Sequence, residues 1–196
     1  MKNLFNILEK EGIKLGGKEK ELLVQYADLI KKFSKSLSLV SRKDLLLEVE
    51  KQLYDAVVLS KFIGDFSSLV DLGAGAGFVG IVQKILFPHA QIYLVERRKK
   101  RVAFLGVAIK YLRLEGIHVL DVDWKELRLE ADIAVSKASC GIDELVRLLP
   151  FIVRKDGILI HFSSSRDLME RANRFYYYYS PYRETQQLLY VFQRTI

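Results

Sequence analysis

The chain has 196 residues, half of them hydrophobic, and a formal net charge of +7 from 31 Lys and Arg against 24 Asp and Glu. That length fills one sizeable core and little more, and the apolar content excludes a disordered chain. A bilayer-spanning run is absent, Met1-Lys2-Asn3-Leu4-Phe5 has no signal-peptide pattern, Cys140 is the only cysteine, and His89, His118 and His161 stand apart; membrane insertion, secretion, disulfides and a metal centre are therefore outside the expectation.

A cytoplasmic monomer is expected, and a sequence pI near 9.4 suits a polyanionic partner. Lys2 to Gly12 and Lys18 to Lys35 read as helices. In the second, Leu22, Tyr26, Leu29 and Phe33 form an apolar face, opposite Lys18, Lys20, Lys31, Lys32 and Lys35. A third helix starts after Asp44, a suitable N-cap, and runs to about Phe62 with Leu46, Val49, Leu53 and Val57 inward. Residues 1–64 are thus expected to form a helical cap that does not fold independently, packed on residues 65–196.

From Ser67 onward strands and helices alternate, which predicts a mostly parallel sheet covered on both faces. The strands are expected at Ser67 to Leu72, Ala90 to Val95, Ile117 to Asp121, Ala131 to Ser136 and Gly157 to Phe162. Helices are expected at Phe78 to Leu86, Lys99 to Leu114 and Gly141 to Phe151, the second burying Val102, Leu105, Ile109 and Leu112. Arg174 to Tyr179 and Gln187 to Gln193 close the chain as an antiparallel hairpin at the sheet edge, the Tyr176 to Tyr179 run being strand rather than a stacking platform.

The chemistry centres on Asp71-Leu72-Gly73-Ala74-Gly75-Ala76-Gly77-Phe78-Val79-Gly80, a strand, tight turn and helix start. Glycines at alternate positions permit φ > 0 and remove Cβ atoms, so a ligand can lie against the backbone. Two patterns overlap. Gly75-x-Gly77-x-x-Gly80 is a dinucleotide fingerprint, and Asp71-x-Gly73-x-Gly75-x-Gly77 is the acidic glycine loop of S-adenosylmethionine enzymes. Asp71 favours the second: pyrophosphate wants N–H donors and no neighbouring anion, whereas a carboxylate can hold an ammonium group. Glu96, ending the next strand, is placed to accept ribose hydroxyls of either cofactor.

This loop, together with Leu94-Val95-Glu96, Lys99-Lys100-Arg101-Val102-Ala103-Phe104-Leu105 and Asp132-Ile133-Ala134-Val135-Ser136-Lys137-Ala138, resembles the glucose-inhibited division protein B family of bacterial 16S rRNA guanine-N7 methyltransferases. The resemblance implies a class I, Rossmann-like S-adenosylmethionine-dependent methyltransferase fold and small-subunit RNA as substrate. It implies cofactor contacts at Gly73, Phe78, Glu96, Trp124, Lys125 and Lys137, beside Asp71, Gly75 and Gly77 of the loop. The chain departs from the family at Val79, where Pro is usual, at Lys137 (Arg), Lys51-Gln52 (Arg-His), Ala56 (Ser) and Ser38-Leu39-Val40 (Asn-Leu-Thr), while Asp55 matches.

Guanine N7 carries a lone pair and no proton, so its methylation needs no general base, and the chain offers no Ser-His-Asp, Cys-His or paired-carboxylate set. Lys137, ending the fourth strand, is expected to position guanine O6 or a phosphate. Arg97, Arg98, Lys99, Lys100 and Arg101 crowd a helix start, where the macrodipole penalises cations, and are expected to contact RNA phosphates. The competing readings are an NAD-linked oxidoreductase and a non-catalytic RNA-binding relative.

Overall fold

The computed structural model describes residues 1–37, 44–137 and 141–194. Six α-helices and seven strands follow in the order α1 (Lys2–Lys10), α2 (Gly17–Leu37), α3 (Leu45–Leu59), β1 (Ser68–Leu72), α4 (Phe78–Leu86), β2 (Gln91–Val95), α5 (Lys99–Tyr111), β3 (Ile117–Leu120), β4 (Ala131–Lys137), α6 (Ile142–Ile152), β5 (Val153–Ser163), β6 (Arg174–Ser180) and β7 (Thr185–Gln193). The strands join in one sheet, β3-β2-β1-β4-β5-β7-β6. Its first five members are parallel, and β7 runs antiparallel to both β5 and β6. Strand order reverses between β1 and β4, the switch point at whose carboxyl end a crevice opens.

Both sheet faces are covered, as expected of a parallel sheet. On one side α1 to α5 share a continuous apolar core that includes Leu8, Leu23, Leu53, Ile81 and Phe104. On the other, Leu145, Leu149 and Ile152 of α6 pack on Val70, Leu159 and Tyr190. The first three helices are therefore bonded into the larger core. Tyr26 donates to the carbonyl of Ala76 in the glycine loop at 2.7 Å, and Gln83 of α4 donates to the carbonyl of Ala56 at 2.6 Å.

The expected elements are present with three physical corrections. Asp44 caps α3 by accepting from the Leu47 N–H at 3.0 Å, but Leu46 is 48% exposed because the first turn projects past the core that takes Val49, Leu53 and Val57. In α5 the buried residues are Phe104, Leu105, Ala108 and Leu112, with Val102 and Ile109 only half-buried, so the inward stripe is rotated toward the aromatic ring that packs on Phe33 of α2. Strand β5 begins at Val153, which pairs with Ala131 before a register slip around Asp156 (φ +65°) resumes pairing at Ile133 and Ile158. Cys140, Ser38-Leu39-Val40 and the side chain of Lys35 lie outside the described residues. Among the described residues no helix is long and apolar enough to cross a membrane.

Candidate active site

The carboxyl ends of β1, β2 and β4, the turn after β3 and the middle of α3 enclose a crevice of about 880 Å³. Its floor is the loop after β1. Gly73, Gly75 and Gly77 have φ of +73°, +62° and +85°, a left-handed succession that only glycine adopts without strain. Gly80 serves packing instead: a Cβ there would sit 2.1 Å from Leu94 Cδ2, so its absence lets α4 lie close on β2.

The donors of this loop are largely committed. Gly73 and Ala74 N–H groups both donate to the Val95 carbonyl at 2.9 Å, and the Gly75 N–H donates to Glu96 Oε2 at 3.1 Å. Asp71 Oδ2 accepts from the Gly80 N–H at 2.9 Å and so already places a carboxylate on the first turn of α4. A pyrophosphate at that helix end would face this carboxylate, whereas a cation would be welcome.

Asp71 is buried, and burial is the main cause that pushes its carboxyl up to about 6. The Gly80 N–H and Lys137 oppose that rise, and Glu96 adds to it. Glu96 is 6% exposed and pinned in place: it accepts from the Gly75 and Arg98 N–H groups, and Arg101 lies 3.6 Å away. Two carboxylates on neighbouring parallel strands thus line one wall of the crevice, one of them destabilised in its charged form.

Most expected site residues meet here. Asp71, Gly73, Gly75, Phe78, Glu96, Trp124, Lys125 and Lys137 line the crevice. Gly77 lies beneath it, where a Cβ would press on Leu105 at 2.7 Å. Trp124 and Lys125 sit in a single 3-10 turn capped by Asp123, whose Oδ1 accepts from the Lys125 N–H at 3.1 Å. Lys125 stretches over the indole, 5.7 Å from the ring, and pairs with Glu144 at 2.7 Å.

The basic run is less uniform than its sequence. Arg97 pairs with Asp123 at 3.3 Å, Lys99 with Asp121 at 2.5 Å, and Arg101 with Glu96, so acids after β2 and β3 offset the unfavourable helix start. Arg98 and Lys100 have no such partner among the described residues, and only Arg97, Arg98 and Arg101 reach the crevice mouth.

Sequence reasoning missed the hub opposite the glycine loop. Lys137 Nζ donates to Gln52 Oε1 at 2.7 Å and to Asp55 Oδ2 at 2.8 Å. Arg183, from the β6–β7 turn, donates to Asp55 Oδ2 at 2.9 Å, and the Tyr178 hydroxyl donates to Asp55 Oδ1 at 2.9 Å. Burial opposes ionisation of Asp55, but Lys137 and Arg183 overcome it and hold the carboxyl below the usual carboxylate range. Burial lowers the Lys137 ammonium, against the pull of Asp55. Gln52 and Lys137, two positions where the chain departs from the family pattern, are thus bonded to one another. Arg183 and Tyr178 carry no local motif, because their partner lies more than a hundred residues away in the chain. No histidine lines the crevice among the described residues.

A model of the family described as rRNA small subunit methyltransferase G (GidB) matches residues 19–187. Ribosomal RNA small subunit methyltransferase G 1 of Syntrophobacter fumaroxidans is 30% identical over 189 residues, covering 91% of this chain and 85% of that protein. Ribosomal RNA small subunit methyltransferase G of Chlorobaculum tepidum is 31% identical over 168 residues, covering 82% and 77%. Among solved structures, precorrin-6Y C5,15-methyltransferase of Geobacter metallireducens aligns with a TM-score of 0.55 at 17% identity, over 78% of this chain and 93% of that one. TYW2 of M. jannaschii, solved in complex with AdoMet, aligns with a TM-score of 0.57 at 13% identity, over 74% and 77%. At those identities the structural matches establish the class I methyltransferase fold alone, while the match across residues 19–187 settles kinship: the chain belongs to the rRNA small subunit methyltransferase G family.

Proposed function

We propose that this chain uses S-adenosylmethionine to methylate N7 of a guanine in the 16S RNA of the small ribosomal subunit, working as a monomer in the cytoplasm. The observation that carries the reading is the pair of buried carboxylates, Asp71 and Glu96, flanking a left-handed glycine loop at the sheet's switch point. Their chemistry fits a cationic nucleoside: Asp71 takes the ammonium group directly or through water, and Glu96 takes the ribose hydroxyls. Gly73, Gly75 and Phe78 contact the ligand from the loop and helix start, and Trp124 and Lys125 hold the adenine.

When bound, S-adenosylmethionine supplies the methyl group, the N7 lone pair forming the N–C bond while the C–S electron pair returns to sulfur. The protein's part is to align and to exclude water. Because N7 has no proton to lose, a crevice without histidine suffices, and alignment of this kind contributes roughly 7–11 kcal/mol. Lys137, held by Asp55 and Gln52, faces the crevice as a donor for guanine O6 or a phosphate. Arg97, Arg98, Lys99, Lys100 and Arg101 supply positive charge at and beside the mouth for the RNA backbone.

The NAD reading is disfavoured by the carboxylate of Asp71 on the first turn of α4. Labelled methyl transfer to small-subunit RNA and to 30S particles, with the product mapped by N7-sensitive strand scission, tests the proposal. Label on RNA at a scission-sensitive guanine is the expected result. Label confined to small molecules or protein, or RNA binding without transfer, refutes it.

A further inference from the structure

From Arg97 to Leu114 the chain has seven cations and no acid. Three of those cations, Arg97, Lys99 and Arg101, are bound to acids near the crevice. The four left without an ion pair among the described residues run from Arg98 at the crevice mouth through Lys100 and Lys110 of α5 to Arg113 just past its end. The helix turns Lys100, Ala103, Val107, Lys110 and Tyr111 to solvent, and its opposite side, with Phe104, Leu105 and Ala108, to the core. Val107 is 44% exposed and Tyr111 56%, the first between the two groups of cations and the second beside Lys110 and Arg113. At 1.5 Å per residue, Lys100 and Lys110 stand about 15 Å apart along the helix.

We propose that the outer face of α5 is a second RNA contact, docking on an A-form duplex that flanks the methylated guanine. The inference rests on the RNA-substrate reading above and adds a surface that leads from the crevice mouth to the far end of α5. Charge complementarity identifies the occupant: from Arg98 to Lys110 the exposed side carries cations and no acid, the acids Glu19, Glu21 and Glu115 lying beyond it around Arg113, and such a row fits a polyanion. The form of the nucleic acid follows from the shape. Single-strand sites thread a strand through a groove lined by successive aromatic rings, whereas this face is the convex side of a helix with one ring, Tyr111. Duplex RNA presents a wide, shallow minor groove edged by phosphates and 2′-hydroxyls. The two cation groups meet phosphates on its edges, while Val107 lies over sugars between them and Tyr111 packs beside the second group.

Gly106 provides a test that does not threaten the fold. It lies on the exposed side of α5, has no heavy atom within 4 Å of the position a Cβ would take, and has no positive φ. Gly106→Glu should therefore leave thermal stability unchanged or raised, since glycine is a poor residue inside a helix. Binding of transcribed 16S RNA and of a blunt RNA duplex of about 16 base pairs is measured across a salt series. Gly106→Glu should weaken both by about tenfold, and Gly106→Gln by less, through charge repulsion at the docked face. Lys110→Ala with Arg113→Ala should make the log–log salt slope shallower by roughly 1.4–1.8, two phosphate contacts' worth. Affinity for S-adenosylhomocysteine should not change in any of them. Unchanged RNA affinity and slope in these variants, or equal displacement by single-stranded and duplex competitors, overturns the surface. Failure of the unmodified protein to bind RNA at all would overturn the RNA reading together with it.

Discussion

Replacement of Asp71 by Asn, read through the pH dependence of cofactor affinity, is the sharpest test of the crevice chemistry. Moved by burial from 3.8 to about 6, the Asp71 carboxyl carries roughly 3 kcal/mol against its charged form in the empty protein. A raised folded-state value means that this group adds stability under acid conditions, an increment lost as pH climbs through about 6. An ammonium group docked on Asp71 reverses the balance by favouring the carboxylate, so binding near pH 6 expels a proton. With a bound-state value near 4 or lower, affinity for S-adenosylhomocysteine should rise roughly tenfold between about pH 5 and pH 7. Titration calorimetry in buffers of different ionisation heat would measure both the affinity and the proton release. Asp71→Asn keeps an acceptor for the Gly80 N–H and should flatten the profile. The nucleoside 5′-methylthioadenosine, which lacks the amino acid half, should bind with no such dependence even in the unmodified protein. Equal pH profiles for the two ligands would refute the role given to Asp71.

Other substitutions probe the remaining walls of the crevice. Glu96→Ala removes the acceptor proposed for ribose hydroxyls and should cost about 1.5–3 kcal/mol in S-adenosylhomocysteine binding, measured by the same titration, with a circular dichroism spectrum unchanged. Gly75→Val should abolish binding: the added Cβ meets nothing closer than 3.7 Å, but φ +62° is strained for a β-branched residue, and near-normal affinity would exclude the loop as a ligand cradle. Asp55→Ala leaves Lys137 without its carboxylate and should destabilise by about 3–5 kcal/mol, lowering Tm by roughly 6–20 °C. Because Lys137 and Arg183 hold the folded-state value of Asp55 low despite its burial, that stabilisation should be present above about pH 4 and fade as acid titrates the folded form. We infer that the cap and sheet are one folding unit, so residues 1–64 alone should show no cooperative melting transition, and a sharp one would refute it.

The glycine loop was legible because its demands are local. Left-handed turns need glycine within a few residues, and the strand before and helix after announce themselves by periodicity; α4 spans Phe78–Leu86 as expected. Glu96 was legible for the same reason, since β2 ends beside the loop it serves. Register inside helices was less so. The sequence periodicity of α5 pointed Val102 and Ile109 inward, but the core is set by what α5 meets, and the ring of Phe104 takes the place against Phe33. The bonding of the Asp55 hub was not legible, although Gln52, Asp55 and Lys137 were each singled out by the family resemblance. Its members come from α3, β4, β6 and the β6–β7 turn, each individually ordinary, and only the antiparallel insertion of β7 between β5 and β6 brings Arg183 over the crevice. The ion pairs of the basic run were not foreseen, because Asp121 and Asp123 follow a different strand.

A chain of net charge +7 that builds its crevice wall from acids uses electrostatics at two ranges. At physiological ionic strength the field of exposed charges decays over about 8 Å, so an approaching polyanion responds to the nearest surface and not to carboxylates buried beneath it. Arg98, Lys100 and the α5 cations form that surface, while Asp71 and Glu96 sit below it at 3% and 6% exposure. Within the crevice the order of strengths inverts, because desolvation removes screening and a carboxylate a few ångströms away outweighs many distant lysines. Arg101 and Lys137 stand at the boundary, each paired with an acid of the site and each lining the crevice. On the proposed function, such pairing would keep these cations from repelling a sulfonium nucleoside and leave their unused donors for RNA. One basic protein can then hold a cationic cofactor and a polyanionic substrate side by side, because the cations deepest in the crevice, Arg101, Lys137 and Arg183, all lie against carboxylates, while Arg98 at the mouth is left to the polyanion.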